Sequence, residues 1–280
     1  MSYLQMSDSK LGLFDVEGIE KKGFELNAQY NGANPYPHIV IDDFLPADVL
    51  NMCLKQFPSA PEKDAIVIDF PQERLKSSFN PDYLTSEVRC LFYSFNSKPF
   101  IKFLENLTGI KGLIPDPYFM GAGFHEIKNG GHLSVHADFN HHKPMNLERR
   151  INVLIYLNKD WKDEYGGQLE LWDDDMKSCQ KSVLPVFNRC VVFNTASTSN
   201  HGNPNVIKHP EGVPRRSIAL YYYTSTWSGE KREHSTQFRS RPGSSDKTDY
   251  QGRKDELLSE FLPPIAYRMI KKIGARMRRR

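Results

Sequence analysis

The stretch GGHLSVHADFNHH, residues 130–142, places four of the chain's nine histidines within eleven positions and sets one aspartate among them. Imidazole nitrogens and a carboxylate are donors for a divalent cation of borderline softness, so spacing decides which of them can share one. If LSVHAD is a strand, side chains two apart project to the same face: His136 and Asp138 point one way, Val135 and Ala137 the other. An HxD pair alone is a weak signal, and two ligands do not hold an ion. The histidines downstream of the cluster are His201, His209 and His234. His201 follows the run RCVVFNT by a short polar loop and precedes RRSIALYYYT, a place where two strand ends can meet. His132, just after NGG, reads as a turn residue rather than a ligand. His141, His142 and Lys143 fall in a loop expected to be solvated or to touch a substrate.

His136, Asp138 and His201 would cover one face of an octahedron and leave the other positions open, the donor set of non-heme Fe(II) oxygenases. A second constellation bears on the first. An oxygenase of this kind that consumes a 2-oxo acid needs a cation for the distant carboxylate, and the rigid fork of arginine suits a carboxylate better than lysine. PRRSIALYYYT offers two arginines, which strand parity separates: Arg215, Ser217, Ala219, Tyr221 and Tyr223 share one face, Arg216, Ile218, Leu220 and Tyr222 the other. The Ile/Leu face suits packing against helices, whereas Ser217 and Ala219 leave room for a small molecule beside Arg215. Arg215 is therefore the expected anchor. In NVLIYLN the face Asn152, Leu154, Tyr156 carries the polar groups, and the Tyr156 hydroxyl either bonds the same carboxylate or belongs to a core aromatic with its tip at the rim.

These residues must be positioned by a scaffold that the pattern outlines. PYPHIVIDDFL reads as a strand followed by Pro46 at a helix start, and PADVLNMCLKQF repeats apolar residues at helical spacing. A second helical region spans roughly 84–107, interrupted near Pro99. From about residue 117 the pattern shifts to short β-branched and aromatic runs: YFMGAGFHEI, LSVHAD, INVLIYLN, GQLELW, KSVLPV, RCVVFN and RSIALYYYT. Turns such as KNGG and EYGG are expected between them, so an antiparallel sandwich or barrel is favoured over alternating βαβ units. The expected class is mainly β with flanking helices. Residues 1–34 form an N-terminal segment without steady periodicity, 35–227 the domain, and 228–280 a charged extension with a final helix over 256–277.

Lys and Arg total 37 and Asp and Glu 34, a net charge of +3, so no field over the whole chain implies nucleic acid as a partner. The last thirteen residues, RMIKKIGARMRRR, hold seven basic side chains and no acid. This tail is expected to meet an anionic membrane surface or an acidic partner, if it meets anything. Four cysteines without CxxC spacing build neither a disulfide framework nor a thiolate metal site, which fits a reducing cytoplasm. The amino terminus carries no leader pattern, and no apolar run reaches the ~18 residues of a spanning helix.

With these residues in view, the chain resembles the Fe(II)/2-oxoglutarate-dependent dioxygenases, in the prolyl 4-hydroxylase-like branch. The resemblance runs over HLSVHAD, RRINVLIYLNKDW, GGQLELWD, RCVVFNT, His201 and RRSIALYYYT, and PYPHIVIDDFLPADVLNMCLKQFP looks like the start of that branch. It covers about residues 36–227. It implies a double-stranded β-helix (jelly roll), with His136, Asp138 and His201 as iron ligands at the catalytic centre. It implies Arg215, assisted by Tyr156, as the holder of 2-oxoglutarate, with ascorbate a candidate reductant. The reaction implied is hydroxylation of an unactivated C–H bond with release of succinate and CO2. Substrates of the family include peptidyl proline, amino acids, sugars and other small metabolites. An aspartate at position 138 favours hydroxylation, because halogenating relatives resemble this pattern with a small residue there. Arg215 lies fourteen positions after His201, a longer link than usual, which keeps Arg216 as a rival anchor and His209 as a rival ligand. The acidic run WDDDMKS is placed near the pocket. A different class of reading, a non-catalytic cupin-like or carbohydrate-binding jelly-roll module that keeps a metal, would need no arginine beside the ion.

Overall fold

The computed structural model describes residues 1–61, 65–228 and 233–247, with 249 and 254 in addition. The expected C-terminal helix and the basic tail lie outside the described residues. Two short strands, β1 (Met6–Asp8) and β2 (Leu13–Phe14), lead into α1 (Val16–Asn31), whose first turn is capped by Asp15 accepting from the Glu17 N–H. The sequence pattern placed no helix here, and the reason is physical. The residues α1 buries are few, Ile19, Gly23 and Tyr30, so no apolar stripe marks it. It is held instead by close approach to α4 (Lys98–Thr108): a Cβ built on Gly23 would stand 2.4 Å from the Phe103 carbonyl oxygen and 2.9 Å from the Leu107 nitrogen. Tyr30 closes the same layer, its hydroxyl donating to Asn194 Oδ1 at 2.7 Å.

Strand β3 (His38–Ile41) and helix α2 (Ala47–Lys55), with Pro46 at its N-cap, fall where the pattern puts them. A hairpin follows that the pattern did not show, β4 (Ile66–Phe70) and β5 (Glu73–Phe79). The expected helical region divides into α3 (Ser86–Phe95) and α4 (Lys98–Thr108), broken at Asn96–Ser97 so that Pro99 sits in a first turn, where its missing N–H costs nothing. The chain continues through β6 (Ile114–Pro115), β7 (Gly123–Ala137), β8 (His141–His142), β9 (Leu147–Tyr156), β10 (Leu169–Trp172), β11 (Cys179–Val183), β12 (Cys190–Asn194), β13 (His201–Asn203), β14 (Arg215–Thr224) and β15 (Gln237–Phe238).

The strands pair antiparallel along the path β11-β10-β13-β7-β14-β9-β12-β3, with β5 and β15 also on β7, β4 on β5, β6 on β14 and β8 on β9. This is a near-closed double-stranded β-helix, or jelly roll, with helices packed against one side. The expected KNGG turn is not a hairpin: β7 runs through it as one strand and changes partner there. Residues 123–127 pair with β14, and Leu133 and His136 pair with β13. One strand therefore serves both sheets, and the half that carries His136 lies across from the half that meets Arg215.

Strand parity sorts the core. Ile151, Val153 and Ile155 of β9 and Ile218, Leu220 and Tyr222 of β14 join the helical cluster of Phe92, Phe95, Phe100 and Phe103. Its rings pack edge to face for Phe95 and Phe100, with centroids 5.0 Å apart, and tilted for Phe100 and Tyr222, at 6.1 Å. Each such buried ring removes apolar surface worth roughly 1.5–3 kcal/mol. The opposite faces of the same strands, with Tyr156 and the second core of Leu169, Leu171, Val191 and Phe193, line the barrel interior. All four cysteines are free thiols. Among the described residues, no helix is long and apolar enough to cross a membrane.

Gly23→Ala tests the α1–α4 contact. Alanine is the better helix former by ~1 kcal/mol, yet here its methyl meets backbone, so chemical denaturation should show a loss of about 1–3 kcal/mol. A gain in stability would mean that the two helices do not meet as described.

Candidate active site

His136 is the penultimate residue of β7, Asp138 follows one residue after its end, and His201 opens β13 directly opposite His136 in the β13–β7 register. The imidazole ring centroids are 4.5 Å apart. One donor atom from each of His136, Asp138 and His201 lies within 4.8 Å of the others, and among the described residues this is the cluster of His, Cys, Asp and Glu that can hold a metal ion. The structure thus brings together the three residues that the spacing pointed to. His136 Nε2 is 3.6 Å from Asp138 Oδ1, and His201 Nε2 is 3.3 Å from Oδ2.

The backbone aims both rings. His136 Nδ1 lies 2.9 Å from the Ser134 carbonyl and His201 Nδ1 lies 2.9 Å from the Ser199 carbonyl. A carbonyl only accepts, so each Nδ1 carries the proton and each Nε2 presents its lone pair to the centre, the outer-shell arrangement that fixes a ligating imidazole. Burial lowers the His201 pKa below its ordinary value, partly offset by Asp138; the lowering favours the neutral ring that can serve as a metal donor. Burial would raise the Asp138 carboxyl, but Arg149 foremost, with His201 and His136, holds it well below the usual carboxylate range. Two imidazole nitrogens and one carboxylate oxygen, converging within 4.8 Å of one another, suit Fe(II) by the chemistry of the donors.

Arg215 lies in the same cavity, of about 220 Å³, that the three residues line. It is buried, its Nε donates to the Gly167 carbonyl at 2.8 Å, and its guanidinium carbon sits 4.9 Å from the Tyr156 ring centroid. No carboxylate pairs with it among the described residues, and burial lowers its pKa below the ordinary value. The Tyr156 hydroxyl is buried with no hydrogen-bond partner. A buried cation with no acid beside it, next to a buried hydroxyl whose proton has no acceptor, forms a place for an anion. Gly167 keeps that place open, since a Cβ there would come within 3.0 Å of Arg215 Cδ. Arg216 points the other way, its Nε 2.8 Å from Glu126 Oε2 and its guanidinium over Phe57, as parity required.

Several expectations are corrected. His142 is neither solvated nor at the rim: it is wholly buried, its Nε2 3.4 Å from Asp116 Oδ1, because β8 pairs back onto β9 and turns it inward. His141 stacks on Trp227 at 4.1 Å and meets Glu233, and the exposed Lys143 pairs with the same glutamate at 2.7 Å. His132 is in β7 rather than a turn and lines a separate cavity of about 620 Å³. His209 packs between Trp161 and Tyr165, outside the site. In WDDDMKS, Asp173 turns back to accept from the Lys177 and Ser178 amides, which closes the loop on itself rather than on the triad's cavity.

Arg149 also faces the site, although strand alternation does not point to it. Its alternation with Asn152 fails by one position, so Arg150 should share the polar face, but a bulge sits between the β9–β14 pairs Ile151–Tyr222 and Arg149–Tyr223. The extra residue turns Arg149 inward, to within 3.1 Å of Asp138 Oδ2. The strap carrying β15 was also unread; Phe238 pairs with His136 and packs its ring 5.6 Å from it.

A family model described as the 2OG-Fe(II) oxygenase superfamily matches residues 122–223, the span from the start of β7 to the end of β14. Over 198 residues the chain is 26% identical to prolyl 3-hydroxylase OGFOD1 of Mus musculus, covering 68% of this chain and 33% of that protein. The match therefore spans about one third of the length of this curated relative. The fold is similar to a Trichoplax adhaerens prolyl hydroxylase solved with a hypoxia inducible factor oxygen degradation domain peptide fragment. The TM-score is 0.52 at 19% identity, over 73% of this chain and 90% of that one. A Pseudomonas putida prolyl-4-hydroxylase superposes with a TM-score of 0.49 at 17% identity, over 71% and 98% of the two chains.

Cobalt titration of single variants checks the ligand set. His136→Ala, Asp138→Ala and His201→Ala should each lose tight Co(II) binding, while His132→Ala and His209→Ala keep it. Equal loss from His209→Ala would displace His201 from the site.

Proposed function

We propose that the chain is an Fe(II)/2-oxoglutarate-dependent dioxygenase that hydroxylates a prolyl residue of a polypeptide, a reading supported by the family model over residues 122–223. One oxygen atom of O2 enters an unactivated C–H bond while 2-oxoglutarate becomes succinate and CO2. The observation that carries the reading is the pairing, in one cavity, of the His136, Asp138 and His201 cluster with a buried arginine that has no acid beside it. A jelly-roll module that kept a metal only for structure would leave Arg215 buried with no anion to meet, at the cost of an uncompensated charge.

Bound by the three donors, Fe(II) supplies the oxidative chemistry that no side chain provides. The chain's own residues do the rest. Ser134 and Ser199 aim the imidazoles through their carbonyls. Arg215 offers its guanidinium, and Tyr156 its hydroxyl, to the distal carboxylate of 2-oxoglutarate, which sets that molecule's direction in the cavity. Ser217 and Leu154 are small or apolar enough to leave its methylene chain room. Ile68 and Phe238 put apolar surface on the lining, suited to a pyrrolidine ring that has no N–H to donate. The prolyl choice draws on the Mus musculus relative and the Trichoplax adhaerens structure, whose own names record prolyl hydroxylation; amino acids, sugars and other metabolites are the competing substrates.

The test is 2-oxoglutarate turnover with added Fe(II) and ascorbate, read as succinate, together with mass spectrometry of proline-containing peptides for the gain of one oxygen. Succinate formation that Asp138→Ala abolishes supports the reaction, and modification confined to free metabolites would overturn the peptidyl assignment. Arg215→Ala should raise the 2-oxoglutarate requirement about 30-fold or more, the loss expected when one partner of a buried charge pair is truncated. Tyr156→Phe should raise it about tenfold, for one charge-assisted hydrogen bond, and Arg216→Ala should stay near the wild-type value.

A further inference from the structure

Asp138 is held by more than the strand it follows. Asn152 Nδ2 donates to its Oδ2 at 2.7 Å, and Arg149 Nη2 stands 3.1 Å from the same oxygen. Arg149 also donates to Asn152 Oδ1, from Nη2 at 2.7 Å and from Nε at 3.2 Å. This second contact sets the amide: its oxygen must face the guanidinium, so its NH2 must face the carboxylate. The guanidinium is itself confined, its carbon 3.7 Å from the Tyr221 ring centroid and 4.4 Å from that of Phe139. Arg149 is 2% exposed and Asn152 3%, so water does not compete for these bonds.

Both carboxylate oxygens lie near the imidazole donors, Oδ1 3.6 Å from His136 Nε2 and Oδ2 3.3 Å from His201 Nε2. A free carboxylate in that place could chelate an ion through both oxygens. We infer that Arg149 and Asn152 are positioning residues that make Asp138 a one-oxygen ligand, by engaging Oδ2 and leaving Oδ1 to the ion. The consequence is a count. Three single-atom ligands leave three of six octahedral positions open, two for a chelating 2-oxo acid and one for dioxygen. A two-oxygen aspartate leaves only two. The inference rests on the Fe(II) reading of the site and adds to it how the carboxylate is restrained by neighbours that are not ligands.

Cobalt(II) on the full chain is the probe, with X-ray absorption reading the number of carboxylate oxygens bound. The wild type should show one. Asn152→Leu and Arg149→Met, which keep volume and remove the donors, should show two, and the Co(II) protein should bind 2-oxoglutarate about tenfold or more weakly. Arg149→Lys should restore part of the loss, a rescue that a role in packing alone would not give. Folded variants that still show one oxygen overturn the inference. So does a two-oxygen carboxylate in the wild type, a measurement that stands even if no variant folds. A wild type that binds no Co(II) overturns the Fe(II) reading itself; one that binds it through both histidines with a two-oxygen Asp138 overturns only the clamp.

Discussion

The register between β13 and β7 is the constraint on which the site depends. It sets His201 opposite His136, although 65 positions separate them in the chain. Side chains alternate with a period of two, so a slip of one residue would send an imidazole to the opposite face and leave the aspartate with one partner. Pairing on the far edge of β13, where His201 meets Leu171 of β10, resists such a slip. So does the packing of the Phe193 ring against His201, with centroids 4.7 Å apart. Once register is set, the strands' own carbonyls orient the rings, and no additional side chain is needed for that task.

Charge follows from the same frame. Among the charged residues that line the cavity, Asp138 is answered by Arg149 and Glu73 by Lys76, while the buried Arg215 is answered by no acid among the described residues. The two arginines belong to different tasks because they sit at different ends of neighbouring strands. Arg149 enters at the start of β9, beside the triad, and Arg215 at the start of β14, beside Tyr156 and Gly167. The site is therefore neutral where donors converge and positive where an anion is to be received.

Much of this was legible from residue types. The HxD spacing, the strand-end position of His201 and the parity of Arg215 against Arg216 all rest on a period of two, and β7 and β14 obey it through those residues. The unread parts are those where local pattern gives way to tertiary contact. Helix α1 carries few buried apolar residues and is kept by the fit of Gly23 against α4, which no periodicity records. Arg149 turns inward because of a bulge opposite β14, and a bulge depends on the partner strand as much as on its own residues. His142 looked like part of an exposed histidine run, yet the pairing of β8 with β9 turns it inward toward Asp116, which lies 26 positions earlier. The strap with Phe238 sits in a charged, turn-rich stretch where two residues of strand leave no signal.

The central claim is that one cavity binds Fe(II) through His136, Asp138 and His201 and 2-oxoglutarate beside it. Its most direct test is the visible absorption spectrum of the protein under anaerobic conditions, with Fe(II) alone, with 2-oxoglutarate alone and with both. Chelation of the ion by the keto acid within the site predicts a charge-transfer band that appears only when both are present and disappears in Asp138→Ala. A folded wild type that gives no such band at saturating Fe(II) and 2-oxoglutarate would contradict the account.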